Sequence, residues 1–273
     1  MIPVLCFAAV SLLGVLPLCL SVWQLSLPAS ILITAAAFIL LHALYFVFFG
    51  LVASTVPNDR PLEKQNAICR FGAASILSLV NFYAGARVII SGTEKLPTDR
   101  RFLFVSNHRS MLDPIIVIDK LRKYNISFIS KPSNMNIPLG GRIAYATGFL
   151  AIDRENDRNA LKTILTAADY MKRDLCSIGI YPEGTRSKTN EMLPFHAGSF
   201  KIAQRAKAPI VVASVRGTED LRRFRFFAGE KVYLDILEVI PAETVCALRT
   251  DSLSEQVRAI IQADLDRSEK QEG

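Results

Sequence analysis

Phe102-Leu103-Phe104-Val105-Ser106-Asn107-His108-Arg109-Ser110-Met111-Leu112-Asp113-Pro114 is the stretch around which the chain is organised. Its first four residues form an apolar run of the kind that makes a buried strand. Asp113-Pro114 opens a second apolar run, Ile115-Ile116-Val117-Ile118, readable as a helix reaching Lys123. Proline is tolerated in a first helical turn, where its missing N–H would be unpaired anyway. A histidine and an aspartate, five positions apart, thus stand where a strand ends and the next element begins. On a continuous helix, residues three or four apart face each other and residues five apart do not. Only a turn can bring His108 and Asp113 together. A carboxylate on one imidazole nitrogen fixes the tautomer and leaves the other nitrogen free to take a proton. The plainer reading is a loop histidine beside a helix-capping aspartate, and the pair by itself leaves both open.

Further apolar runs follow. Ile126-Ser127-Phe128-Ile129 reads as a second core strand with Lys131 at its end. Pro138-Leu139-Gly140-Gly141 begins a glycine-rich bend, and Gly148 to Arg154 reads as a strand closing on a charge pair, Asp153-Arg154. Asp157 to Asp174 carries apolar residues at 161, 164, 165, 168 and 171, a helical period whose stripe is core. Ser177-Ile178-Gly179-Ile180 is the next buried strand and delivers Tyr181-Pro182-Glu183-Gly184-Thr185-Arg186-Ser187. Glycine lets backbone approach a ligand closely, and arginine offers a planar fork suited to phosphate oxygens. Val232 to Val239 reads as a later strand and Ser252 to Asp266 as a polar C-terminal helix.

His108-x4-Asp113, followed in order by Tyr181-Pro182-Glu183-Gly184-Thr185-Arg186-Ser187, resembles the signature of the glycerolipid acyltransferases, in particular the 1-acylglycerol-3-phosphate acyltransferases. The resemblance covers roughly Val88 to Val215. It implies an α/β fold with a mixed, largely parallel central sheet flanked by helices. It also implies transfer of a fatty acyl group from a thioester to the free hydroxyl of 1-acylglycerol 3-phosphate, giving phosphatidic acid. His108 would be the general base, oriented by Asp113, with no acyl-enzyme. Lys131 and Arg154 match the family's lysine after the second strand and arginine ending the third, which surround the phosphate-bearing substrate. Glu183, Gly184, Thr185 and Arg186 complete the substrate-binding set, with Glu183 expected to orient Arg186 or the glycerol. Acyl-CoA or acyl-carrier protein would be the co-substrate, with no other cofactor and no metal.

The chain departs from the pattern in two places. His196, in Phe195-His196-Ala197-Gly198, stands where a basic residue such as lysine is common, and is read as a helix-start residue. Val212 replaces the second proline of the last block, which bears on acyl-chain preference rather than on the chemistry. Another lysolipid or glycerol 3-phosphate as acceptor, and a non-catalytic membrane-anchored lipid-binding protein, remain as alternatives.

The remaining features narrow the class. Residues 1–58 contain no Asp, Glu, Lys or Arg, so the net charge of +7 is carried entirely by the rest. Ile2 to Val22 and Pro28 to Ala53 are each near the roughly 20 apolar residues that span a bilayer as a helix. The short link Trp23-Gln24-Leu25-Ser26-Leu27 makes them an antiparallel hairpin that either crosses the membrane twice or dips into one leaflet. The expected organisation is therefore a membrane-anchoring hairpin at 1–58 and an acyltransferase domain at 59–273. Arg60, Lys64 and Arg70 after the hairpin mark the cytoplasmic side. His42, within the hairpin, reads as an interfacial or helix-contact residue. The five cysteines form no CxxC pair, as expected of free thiols. No nucleic-acid reader motif is present. A serine-hydrolase elbow, G-x-S-x-G, and a metal-binding H-E-x-x-H are both absent from the sequence.

Overall fold

The apolar runs become the strands of one seven-stranded sheet. In the computed structural model, residues 2–187, 191–223 and 229–272 are described. The strands are β1 (Ala86–Ser91), β2 (Leu103–Ser106), β3 (Ile126–Ser130), β4 (Leu150–Ala151), β5 (Ser177–Ile180), β6 (Ile210–Arg216) and β7 (Glu230–Ile240). Their spatial order is β1-β7-β6-β2-β5-β3-β4. Every neighbouring pair is parallel except β6–β7. The central strands β2 and β5 are buried at every residue, as a parallel sheet covered on both faces requires.

Alternate residues of each strand point to opposite faces, and two cores result. On one face Leu103, Val105, Ile178 and Ile210 pack under α7 (Asp157–Lys172), α8 (Lys201–Ala206) and the C-terminal helix Thr250–Glu272 through Tyr170, Ile202 and Val257. On the other, Phe102, Phe104, Phe128 and Val211 meet Ile116, Val117 and Leu121 from α4 (Asp113–Lys120) and the turn after it. Val212, the departure from the expected proline, is sealed in the first of these cores.

Two sequence expectations change in detail. The helix from Asp113 stops at Lys120 rather than Lys123, because the chain must reverse into β3. It does so through a tight turn at Arg122–Tyr124 and a left-handed Asn125. The strand expected through Arg154 shrinks to Leu150–Ala151. β4 is the sheet's edge, and Asp153 leaves it to accept the Glu155 N–H, turning the chain toward α7.

At the N-terminus α1 (Ile2–Ala9) continues through wide turns to Val22, and α2 spans Leu27–Ser54. Both are long and apolar enough to cross a membrane, and only 17% and 6% of their apolar windows are buried. The second half of α2 is docked on the α/β body. Phe49 and Ala53 pack with Cys69 and Ile76 of α3 (Ala67–Tyr83) and with Ile143 and Ala146 of α6 (Gly140–Ala146), which follows the short α5 (Pro132–Met135). Gly72 admits the Phe49 ring, since a Cβ there would lie 2.1 Å from Phe49 Cδ1. His42 is a helix-contact residue. Its Nε2 lies 3.1 Å from Tyr83 Oη, and its Nδ1 lies 2.9 Å from the Phe38 carbonyl oxygen.

Candidate active site

β2, β5, β3 and β4 are parallel neighbours, so their C-terminal ends lie along one edge of the sheet. That edge is where open α/β sheets place ligand groups. It receives His108 after β2, Tyr181 to Arg186 after β5, Lys131 after β3 and Arg154 after β4.

The turn that the His108–Asp113 spacing demanded is present. His108 Nδ1 is 2.8 Å from Asp113 Oδ2, and the same oxygen accepts the backbone N–H groups of Arg109 at 2.7 Å and Ser110 at 2.8 Å. Three donors thus converge on one oxygen of a carboxylate that is fully buried, while the His108 side chain keeps 18% exposure. With Nδ1 held by the carboxylate, Nε2 is the nitrogen that can exchange a proton.

The second motif is bonded directly onto this turn. Glu183 Oε1 accepts the His108 N–H at 2.7 Å, and Oε2 accepts the Leu193 N–H at 2.8 Å. Ser187 N–H donates to the His108 carbonyl at 3.0 Å. Burial pushes the Glu183 carboxyl up from its ordinary range, against the downward pull of those two backbone donors. The expectation that Glu183 orients Arg186 or the glycerol is therefore corrected. Both its oxygens are engaged with backbone, and its work is to fix the histidine loop to the loop around Leu193.

Tyr181 stacks on the His108 imidazole, with centroids 4.2 Å apart and planes 11° from parallel. Phe128 stacks behind it at 5.1 Å and 14°. Burial, with a smaller contribution from the negative charge of Asp113, pushes the Tyr181 phenol well above its usual range. Asn107 ties the turn to β6 through its amide, donating to the Val215 carbonyl at 2.9 Å and accepting the Val215 N–H at 2.8 Å. Arg109 pairs with Glu219 at 2.6 Å.

Gly184 takes φ = +74°, and its carbonyl accepts a hydrogen bond from Arg154. Burial lowers the Arg154 pKa. Beside them a cleft of about 620 Å³ runs between α7 and α8, lined by Arg154, Leu161, Ile164, Tyr181, His196 and Lys201. His196 starts the short helical turn Ala197–Phe200 and donates its N–H to the Pro182 carbonyl at 2.9 Å. Lys131, Thr185 and Arg186 are exposed on the same edge. The structure thus joins His108, Asp113, Glu183, Gly184 and Arg154 into one bonded unit. It leaves Lys131, Thr185 and Arg186 at the rim, facing solvent. Sequence reasoning missed Tyr181, Asn107 and the Arg109–Glu219 pair. The only signal for Tyr181 was an aromatic residue at the head of the second motif.

The known proteins that this chain resembles are acyltransferases. Residues 87–216, which contain both motifs and five of the seven strands in full, match the model of the acyltransferase family. The particular relatives are consistent with one another. The 1-acyl-sn-glycerol-3-phosphate acyltransferase of Saccharomyces cerevisiae is 27% identical, covering 77% of this chain and 70% of that protein. The beta form from Homo sapiens is 29% identical, covering 72% and 69%. The Salmonella typhimurium enzyme is 27% identical, covering 60% and 68%. The crystal structure of the 1-acyl-sn-glycerophosphate acyltransferase of Thermotoga maritima has the same fold, with a TM-score of 0.60 at 23% identity over 84% of this chain and 95% of that one.

Proposed function

We propose that the protein acylates the free hydroxyl of 1-acylglycerol 3-phosphate, using an acyl-CoA or acyl-carrier-protein thioester, to give phosphatidic acid. The observation that carries this reading is the His108 Nδ1–Asp113 contact at 2.8 Å on a carboxylate that holds two further backbone donors. That arrangement orients Nε2 as a base. The acceptor hydroxyl loses its proton to Nε2 as its oxygen attacks the thioester carbonyl. The C–S bond then breaks, and the thiol leaves with the proton returned by the imidazolium. General-base help of this kind contributes about 10²–10⁴-fold.

The exposed cations Lys131 and Arg186 are suited to the acceptor's phosphate, and Arg186 can engage two of its oxygens at once. Holding the headgroup aligns the hydroxyl, so that the two reactants behave as parts of one molecule. Arg154 supports the site from beneath through the Gly184 carbonyl. The apolar hairpin fits a lipid acceptor drawn from the bilayer, and Arg60, Lys64 and Arg70 after it favour a catalytic domain on the cytoplasmic face.

The test is an acceptor panel with the purified full-length chain and one labelled acyl-CoA, repeated with acyl-carrier protein. The expected result is transfer to 1-acylglycerol 3-phosphate well above that to glycerol 3-phosphate or uncharged lysolipids. Preferred transfer to another acceptor, or lipid binding without any product, overturns the reading.

A further inference from the structure

A second groove lies at the opposite edge of the sheet from His108. It reaches Ile126 and Ser127, the first residues of β3, whereas Lys131 follows the last. Five residues of strand separate the two edges by about 16 Å. The groove has a volume of about 400 Å³ and runs between α3 and the turn after α4. Its walls are apolar, with Phe71, Leu77, Ile118 and Phe149 among them, and three cations share them: Arg70, Arg122 and Lys123.

The charge there is only partly compensated. Asp119 is the carboxylate beside the groove, with 1% side-chain exposure, and it is already bonded by Arg122 at 2.7 Å, Lys120 at 3.1 Å and Asn81 at 3.1 Å. Neither Arg70 nor Lys123 has an ion pair among the described residues. All three groove cations are exposed.

The groove also adjoins the membrane helix. Phe71 is 66% exposed, and its ring lies 6.3 Å from that of Phe49 on α2. Ile68 on the same turn, and Phe48 and Leu51 on α2, are also more than half exposed. An apolar surface therefore runs down α2 onto α3 and stops where Arg70 begins a cluster of cations. That boundary has the chemistry of the level where acyl chains give way to headgroups.

We infer that this groove binds an anionic phospholipid of the bilayer, with its phosphate among Arg70, Lys123 and Arg122 and one acyl chain along the apolar wall. A soluble phosphate ester would use the cations but leave the apolar wall and exposed Phe71 and Ile68 in water. A zwitterionic lipid would place its own cation among three others. The inference rests on the membrane attachment proposed above but not on the identity of the acceptor.

The test uses the full chain in nanodiscs of phosphatidylcholine with 0 to 30 mol% phosphatidylglycerol, and reads retained lipid by native mass spectrometry after extraction. Arg70→Gln/Lys123→Gln removes two cations outside the catalytic edge. At about 1 kcal/mol for each cation near an anionic surface, the preference for phosphatidylglycerol should fall roughly 30-fold. Ala74→Trp keeps the cations and fills the groove, and should lose the lipid as well. Both variants should keep normal turnover in pure phosphatidylcholine, which shows that they are folded. Equal phosphatidylglycerol retention by wild type and either variant overturns the site. Release of the lipid by millimolar inorganic phosphate or CoA at wild-type Ala74 would assign the cations to a soluble phosphate ester and overturn the lipid assignment. Because retention is read without turnover, a wrong acceptor would not affect it.

Discussion

The ring of Tyr181 lies flat on the imidazole of His108, 4.2 Å between centroids, and its hydroxyl has no hydrogen-bond partner among the described residues. The ring and the hydroxyl therefore separate cleanly by substitution. Tyr181→Phe keeps the stack and removes a buried polar atom, so it should retain near-normal kcat and melt at the same temperature or slightly higher. Tyr181→Leu frees the imidazole to tilt and should lower kcat about tenfold with little change in KM. A Phe variant as impaired as the Leu variant would show that the hydroxyl matters instead.

His108→Ala should cost about 10²–10⁴ in kcat/KM with only a modest fall in melting temperature, because the Tyr181 stack is lost while the Asp113 oxygen keeps its two backbone donors. Asp113→Ala should differ in kind. It strands the Arg109 and Ser110 N–H groups as well as the imidazole. A loss of about 1–3 kcal/mol for each buried unpaired group is expected in addition to the loss of activity. Thermal melts and turnover of the two variants together distinguish the roles.

Glu183 gives a pH signature. Its carboxyl is raised in the folded state by burial, so folding favours the protonated form. The contribution is fully present below the unfolded pKa and is lost as pH rises through the folded one. Wild type should therefore gain stability relative to Glu183→Gln as pH falls through the raised folded-state pKa toward the ordinary carboxylate range. Activity of the variant should drop at every pH, because a glutamine cannot accept both the His108 and Leu193 N–H groups. A stability difference independent of pH would refute the assignment.

Gly184→Ala meets two obstacles, the left-handed φ of +74° and Arg154 Nη1 at 2.6 Å from the new Cβ. The backbone cost alone is about 1–3 kcal/mol. Arg154→Met should remove the second obstacle, so the double variant should be more stable than the sum of the two single changes predicts. Strict additivity would mean that the arginine had simply swung aside.

Removal of residues 1–58 tests how far the hairpin is only an anchor. Phe49 is 4% exposed and Ala53 fully buried against α3 and α6. Loss of a buried phenylalanine side chain costs about 3–5 kcal/mol, a large share of the 5–15 kcal/mol that holds a typical domain. The truncated chain should aggregate or melt early, whereas a chain beginning at residue 42 should keep the docked half-helix and fold. Equal melting of the two chains would contradict this.

Much of the edge that carries the chemistry was legible in the sequence, because buried parallel strands are continuous apolar runs and the groups at their ends are polar. His108 and Asp113 were readable as a pair only through the turn their spacing required. Glu183 was misassigned because its partners are backbone N–H groups, one of them 75 positions away, and no residue pattern records a backbone donor. Tyr181 was missed for a related reason: an aromatic residue after a buried strand looks the same whether it fills a core or lies on the His108 ring. The edge strand β4 was overestimated because its apolar run fits a longer strand, while the Asp153 turn that ends it is set by tertiary context.

The docking of Phe49 into the space left by Gly72 has a consequence for how the protein is made. Residues 42–54 leave the ribosome before any strand of the sheet, and they carry both an outward apolar face and the surface that α3 and α6 later cover. The order of synthesis therefore makes the inserted helix a template on which the catalytic body closes. A bulky residue at position 72 would then first be noticed as protein missing from the membrane, although the fault lies in the body and every residue needed for targeting is intact.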